Sequence, residues 1–182
     1  MVRFAYSILF VIVVSISTTS CSEKPIEDIS EFNVSIGMPL DEVKKLYPNS
    51  TFQAEHPNKF GLFSGGETGI SVYRNDSLLF YFWKHWELDE VGGFILFDPN
   101  QAFEGIHTGM SVQDFRTIHP KATANISLLD SEEYLFVPEN ENWYKIESST
   151  NDWAADYEMI DGEYQFIKFV DTDKKIVSIL VK

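Results

Sequence analysis

Four histidines, one cysteine, a serine in a glycine-rich segment and 28 acidic residues are the side chains with chemistry to offer in this 182-residue chain. His56, His85, His107 and His119 are scattered, with no HExxH and no two placed on a common helix face, so a zinc hydrolase is not indicated. Ser64 stands in Phe63-Ser-Gly-Gly-Glu-Thr-Gly69 without the G-x-S-x-G spacing of a nucleophile elbow, and no Walker lysine follows. That segment reads as a loop whose glycines would let a partner's backbone come close. Acidic residues are densest from Ile126 to Glu163, eleven against Lys145 alone, and read as solvated surface. Neither Asp152 to Glu163 nor Asp171-Thr-Asp173 carries the D-x-[DN]-x-[DN]-G pattern of a calcium loop, and the two aspartates read as turn residues. No pair of carboxylates is singled out for glycoside hydrolysis. The expectation is a protein that is not an enzyme and holds no metal and no cofactor.

The single cysteine has a different context. Residues 1–20 comprise a short start with Arg3, an apolar stretch from Phe4 to Ile16 and small polar residues before Cys21. An apolar run of about 13 residues is short for a span that needs roughly 20, so the segment reads as an export signal. Thr18-Thr19-Ser20-Cys21 resembles the lipobox of bacterial lipoproteins, in which the cysteine is acylated and becomes the new N-terminus; Thr18 stands where that pattern prefers Leu. By the same resemblance, Ser22 in place of Asp favours the outer membrane. The resemblance implies lipidation at Cys21, a membrane anchor, and a place in the bacterial cell envelope facing the periplasm. Several acyl chains anchor stably where one alone would not. Residues 21–31 are polar, lack periodicity and read as a tether.

Composition narrows the partners. The chain is 44% apolar with 14 basic residues and a formal charge of −14, an ordinary globular balance that argues against nucleic acid, whose phosphates need a basic surface. One cysteine also excludes an internal disulfide.

The elements that would position a site are written twice. Gly37-Met-Pro-Leu-Asp-Glu-Val-Lys-Lys-Leu-Tyr-Pro48 matches Gly109-Met-Ser-Val-Gln-Asp-Phe-Arg-Thr-Ile-His-Pro120 at a constant offset of 72. Apolar residues at 40, 43, 46 and 47, and again at 112, 115 and 118, give one face of a short helix. Pro39 suits a first turn, Ser111 an N-cap, and Pro48 and Pro120 stop each helix. Met38, Met110, Val43, Leu46, Phe115 and Ile118 are the expected core of this layer. The period then changes to two. Ile70–Arg74 and Leu78–Trp83 around Asn75-Asp-Ser77 read as a hairpin, Val91–Phe97 as a third strand, and Tyr134–Val137, Trp143–Ile146, Tyr164–Val170 and Lys175–Lys182 as strands of the second half. The expected organisation is a signal at 1–20, a tether at 21–31, repeat 1 at 32–97, a connector at 98–108 and repeat 2 at 109–182. The expected class is α+β, two tandem repeats, each a short helix packed on an antiparallel sheet.

These motifs, a G-M-[ST]-x-x-x-[VF] helix start and a closing Lys175-Ile-Val-Ser-Ile179, resemble the tandem-repeat β-lactamase-inhibitory-protein fold and the small lipoprotein of the outer-membrane β-barrel assembly machine. The resemblance implies a fold, and by analogy a binding role. The secreted inhibitors usually carry disulfides, which this chain cannot.

Aromatic residues number 27 of 182, and Leu79-Phe-Tyr-Phe-Trp-Lys-His-Trp86 is aromatic on both faces. With Phe80 and Phe82 under the helix, Tyr81, Trp83 and His85, joined by Tyr73, form a candidate partner-binding face unless the other repeat covers it. The expected function is a non-catalytic protein-binding module of the envelope, an inhibitor of an envelope hydrolase or an accessory of an envelope assembly complex. The alternative is a glycan or small-ligand binding lipoprotein in which the same rings stack on sugars, and a hydrolase has only acidic residues in its favour. The acidic second half would steer a basic partner.

Overall fold

The computed structural model describes residues 29–62, 68–127, 131–149 and 152–182; the signal segment, Cys21 and Ser64 lie outside these. In chain order the elements are β1 (Ser30–Glu31), α1 (Leu40–Leu46), β2 (Thr51–Glu55), a 3-10 turn (Pro57–Phe60), β3 (Gly69–Arg74), β4 (Ser77–Lys84), β5 (Val91–Leu96), β6 (Gln101–Phe103) and β7 (Ile106–His107). There follow α2 (Val112–Ile118), β8 (Thr123–Ile126), β9 (Glu133–Phe136), β10 (Trp143–Ile146), β11 (Ala155–Ile160), β12 (Glu163–Phe169) and β13 (Ile176–Val181).

The expected α+β arrangement of two helix-on-sheet repeats is overturned. Strands take 48% of the described residues and helices 12%, and the strands form three sheets, one of them eight-stranded in the order β2-β3-β4-β5-β13-β10-β9-β8. The physical reason is the central pairing of β5 with β13, which continues the hydrogen-bond ladder from one half of the chain into the other. Each helix has only seven residues and lies on a sheet far larger than itself. β1 pairs in parallel with β6, and β6 antiparallel with β7, so Ser30–Glu31 and the segment 98–108 contribute a small second sheet. The third is the hairpin β11–β12.

Both helices stand at the expected offset. Gly37 and Gly109, at φ +81° and +86°, make the left-handed turn before each one, a region that costs a side chain energy. Ser111 caps α2, its hydroxyl accepting from the Asp114 N–H at 3.0 Å, whereas Pro39 opens α1 without a side-chain cap. Asp41 and Glu42 at the start of α1 and Lys44 and Lys45 at its end suit the helix dipole. Val43, Phe115 and Met110 are buried as expected and Met38 packs against the core, but Leu46 and Ile118 are 45% and 46% exposed, a correction. At about 100° per residue, position 47 or 119 returns to the face of 40/43 or 112/115, and position 46 or 118 falls to its side. The Tyr47 ring accordingly packs at a tilt against Phe80, 4.8 Å between centres, and His119 lies 5.0 Å from the Phe115 ring.

One cross-strand row explains the core. Phe52, Val72, Phe80, Leu96, Ile179, Tyr144, Leu135 and Ala124 pair in sequence across all eight strands, every one apolar or aromatic and pointing to the helix side. Burying each large member contributes about 1.5–3 kcal/mol. The Asn75-Asp76 turn of the β3–β4 hairpin has φ of 50° and 63°, the two-residue geometry whose twist matches its strands.

Candidate functional site: the open face of the sheet

Strand alternation turns the neighbouring row to the other side, away from the helices. Gln53, Ser71, Tyr81, Ile95, Leu180, Trp143, Phe136 and Thr123 pair in sequence across the same eight strands. Its chemistry grades along the row, from polar at β2 and β3, through a small second core, to aromatic at β10 and β9.

The second core is Tyr81, Ile95 and Leu180, packed by Phe60, Leu62, Trp83, Phe97 and Trp143. Phe60 comes from the 3-10 turn after β2, and its ring lies 4.4 Å from that of Tyr81. His56 caps the turn, its Nδ1 accepting from the Asn58 N–H at 3.2 Å. Glu55 ties the turn to the sheet: its carboxylate accepts from Lys59 at 2.5 Å, from Tyr73 at 3.1 Å and from the Ser71 hydroxyl. The Lys59 ammonium, then the Ser71 hydroxyl, hold the Glu55 carboxyl below its ordinary pKa, and Glu55 in turn raises that of Lys59.

The four residues expected to form a binding face have different fates. Tyr81 is fully buried under Phe60, which corrects its reading as surface; burial raises its pKa, and its hydroxyl lies against Gly69, where a Cβ would stand 2.2 Å from it. Trp83 is half-buried, its ring lying flat over Gly93 of β5, where a Cβ would come within 2.0 Å of Trp83 Cζ2. Tyr73 is half-buried and held by Glu55 and Lys59. His85 sits beyond β4 and accepts from the Glu87 N–H at 3.3 Å within its own turn. These four therefore share no continuous exposed surface.

The uncovered aromatic surface lies on the other half of the sheet. Trp143 of β10 is half-buried, with Tyr134 of β9 edge-on at 5.3 Å and the Lys182 ammonium 4.3 Å above its ring. Phe136, directly opposite Trp143 on β9, is 41% exposed. Lys145, opposite Tyr134, pairs with Glu132 at 2.8 Å. Between this cluster and the 3-10 turn runs a groove of about 450 Å³, with Ile95, Phe97 and Ser178 among the residues lining it and Lys59, Phe60 and Tyr134 at its sides. A bulge between Lys145 and Ile146 leaves Val177 without a partner on β10 and brings it into the groove. A second pocket of about 510 Å³ opens beside Trp143.

The sequence presents Tyr134, Phe136 and Trp143 as strand residues without assembling them. Their signal is alternation, Tyr134 and Phe136 flanking Leu135 and Trp143 and Lys145 flanking Tyr144, but register alone makes them neighbours.

Of the scattered histidines, His107 lies 2.8 Å from the Thr108 carbonyl through Nδ1. Among the described residues no group of three metal-ligating side chains converges. Asp171 accepts from the Asp173 N–H at 3.1 Å, as a turn residue does. No helix among the described residues is long and apolar enough to cross a membrane. Comparison with known proteins finds no matching family model, no similar curated protein and no similar solved structure.

Proposed function

We propose that the chain is an exported, lipid-anchored protein of the bacterial outer membrane, facing the periplasm, that acts as a non-catalytic protein-binding module. In this reading it inhibits an envelope hydrolase or serves an envelope assembly complex. One observation carries the binding role: on the second half of the open face Phe136 is 41% exposed beside the half-buried Trp143 and Tyr134, next to a groove, whereas the 3-10 turn covers the same face of β4 with Phe60. Aromatic side chains of this kind, apolar over their area and polar at one end, dominate interface energetics. The anchor rests on the apolar leader and on Cys21 following Thr-Thr-Ser.

The test is capture from detergent-solubilised envelope with the full chain as bait. A stoichiometric protein should be retained, and Phe136→Ala, at a 41% exposed position, should weaken its retention by about 2 kcal/mol or more, as truncating a hot spot does, with a melting temperature close to the parent's. Retention of the same protein at unchanged affinity by a Trp143→Ala/Phe136→Ala variant would remove this face. Binding of oligosaccharides and of no protein would replace the reading with the glycan one.

A further inference from the structure

Resting on the reading of the open face as a protein-binding surface, we infer that the pocket beside Trp143 receives a basic side chain of the partner, an arginine or a lysine, and that Lys182 occupies this place in the free protein. The first observation is the internal occupant. The Lys182 ammonium stands 4.3 Å from the centre of the Trp143 ring, a distance at which the negative face of an indole attracts a cation. The second is the rest of the wall. Phe136 adds a second exposed aromatic ring, and Glu139 and Glu141 line the same pocket. Aromatic faces with carboxylates beside them recognise cations; an acidic loop would be repelled.

Charge leaves room for the guest. Glu139 has one loose neighbour, Lys121 at 3.8 Å, both side chains being well exposed, and Glu141 makes no ion pair among the described residues. Exposed pairs of this kind are cheap to rearrange. A guanidinium suits the place best, since its plane stacks on an indole while its edge donates to carboxylates. A sugar fits less well, because a lysine already stands over the ring it would have to stack on. At longer range, the formal charge of −14 favours approach of a basic partner to the molecule as a whole.

The experiment titrates the full chain with N-acetyl-arginine amide and, separately, with N-acetyl-citrulline amide, its uncharged counterpart of nearly equal shape, following the Trp143 indole N–H by NMR. A saturable shift with the arginine compound and none with the citrulline compound is expected. Lys182→Met should tighten the arginine compound by roughly threefold to tenfold, and Glu139→Gln/Glu141→Gln should weaken it by a similar factor. All three positions are exposed, so these variants should melt as the parent does. Equal response to both compounds, no gain with Lys182→Met, or a shift produced only by chitotetraose would overturn the inference. Capture of an envelope protein that depends on Trp143 but not on Glu139 and Glu141 would also overturn it while leaving the binding reading standing. Arginine binding without any captured protein would support the pocket and overturn the broader reading.

Discussion

The Tyr157 hydroxyl donates to Glu133 Oε1 at 2.7 Å, joining the hairpin β11–β12 to the eight-stranded sheet through a carboxylate that is fully buried. The same carboxylate accepts from the Ala154 N–H at 2.7 Å and the Ala155 N–H at 3.0 Å. Three donors thus converge on one anion, and the hairpin begins where that anion holds it. On its other side Phe169 lies under the guanidinium of Arg116, which is 4.8 Å from the ring centre.

Glu133→Ala would leave two buried N–H groups and the half-buried Tyr157 hydroxyl without an acceptor, at a cost of about 1–3 kcal/mol for each that water cannot reach. Destabilisation of about 3 kcal/mol or more is expected, against about 1.5–3 kcal/mol for Tyr157→Phe, which removes a single hydrogen bond to a charged group. Denaturant midpoints at constant slope measure both. Amide exchange should quicken first across β11 and β12, and uniform acceleration over the whole sheet would count against this attachment.

The strand pattern made several of these relationships legible and concealed others. The β3–β4 hairpin, both helices and β13 stand where periodicity and turn residues place them, because each is determined by residues close in sequence. β2 and β8 carry few large apolar residues; as edge strands they need only one buried face, and their sequences show little alternation. β11, rich in acidic residues, reads as solvated surface because its docking depends on Glu133, more than twenty positions earlier. Alternation places Tyr81 correctly opposite Phe80 and Phe82. It gives no sign that Phe60 returns to cover it, since that contact depends on the path of a connection.

Alkaline pH should expose the buried phenols. Burial is the largest cause raising the pKa of Tyr47, Tyr81, Tyr144 and Tyr157, and for Tyr157 the Glu133 carboxylate adds to it. A folded pKa above the unfolded value of about 10 means that the contribution is complete below pH 10 and is lost as pH rises beyond it. Stability should therefore decline above about pH 10, and phenolate absorbance from these rings should appear together with loss of the fold. Tyr157→Phe should make the decline shallower. Full ionisation of all eight tyrosines near pH 10 in a protein that stays folded would contradict their burial.

The helix layer gives a paired comparison. Phe115 is fully buried and contacts the Tyr144 ring at 4.7 Å, so Phe115→Ala should cost about 3–5 kcal/mol. Ile118, three residues on and 46% exposed, should tolerate Ala with a change of no more than about 1 kcal/mol. A large loss for Ile118→Ala with little for Phe115→Ala in reversible melts would mean that the helix presents a different face to the sheet.

Lipidation is tested at Cys21, outside the described residues. Cys21→Ala should abolish acyl labelling and leave unprocessed precursor in the membrane fraction. Labelling and processing equal to the parent's would remove the anchor from the proposal.

The pairing of Leu180 with Ile95 at the centre of the sheet has a kinetic consequence. These residues lie 85 positions apart (180 − 95), and the strand that joins β5 to β10 is β13. Until β13 arrives, β5 and β10 each present an unpaired row of backbone donors and acceptors, bordered by Phe94, Leu96, Tyr144 and Ile146, all fully buried in the finished molecule. Closing so long a loop must precede any reward from the contacts it makes, so folding should be slow and governed by this one insertion. A chain emerging residue by residue on the far side of a membrane would carry two open sheet edges through that interval, the period in which a holdase chaperone would matter most to its yield.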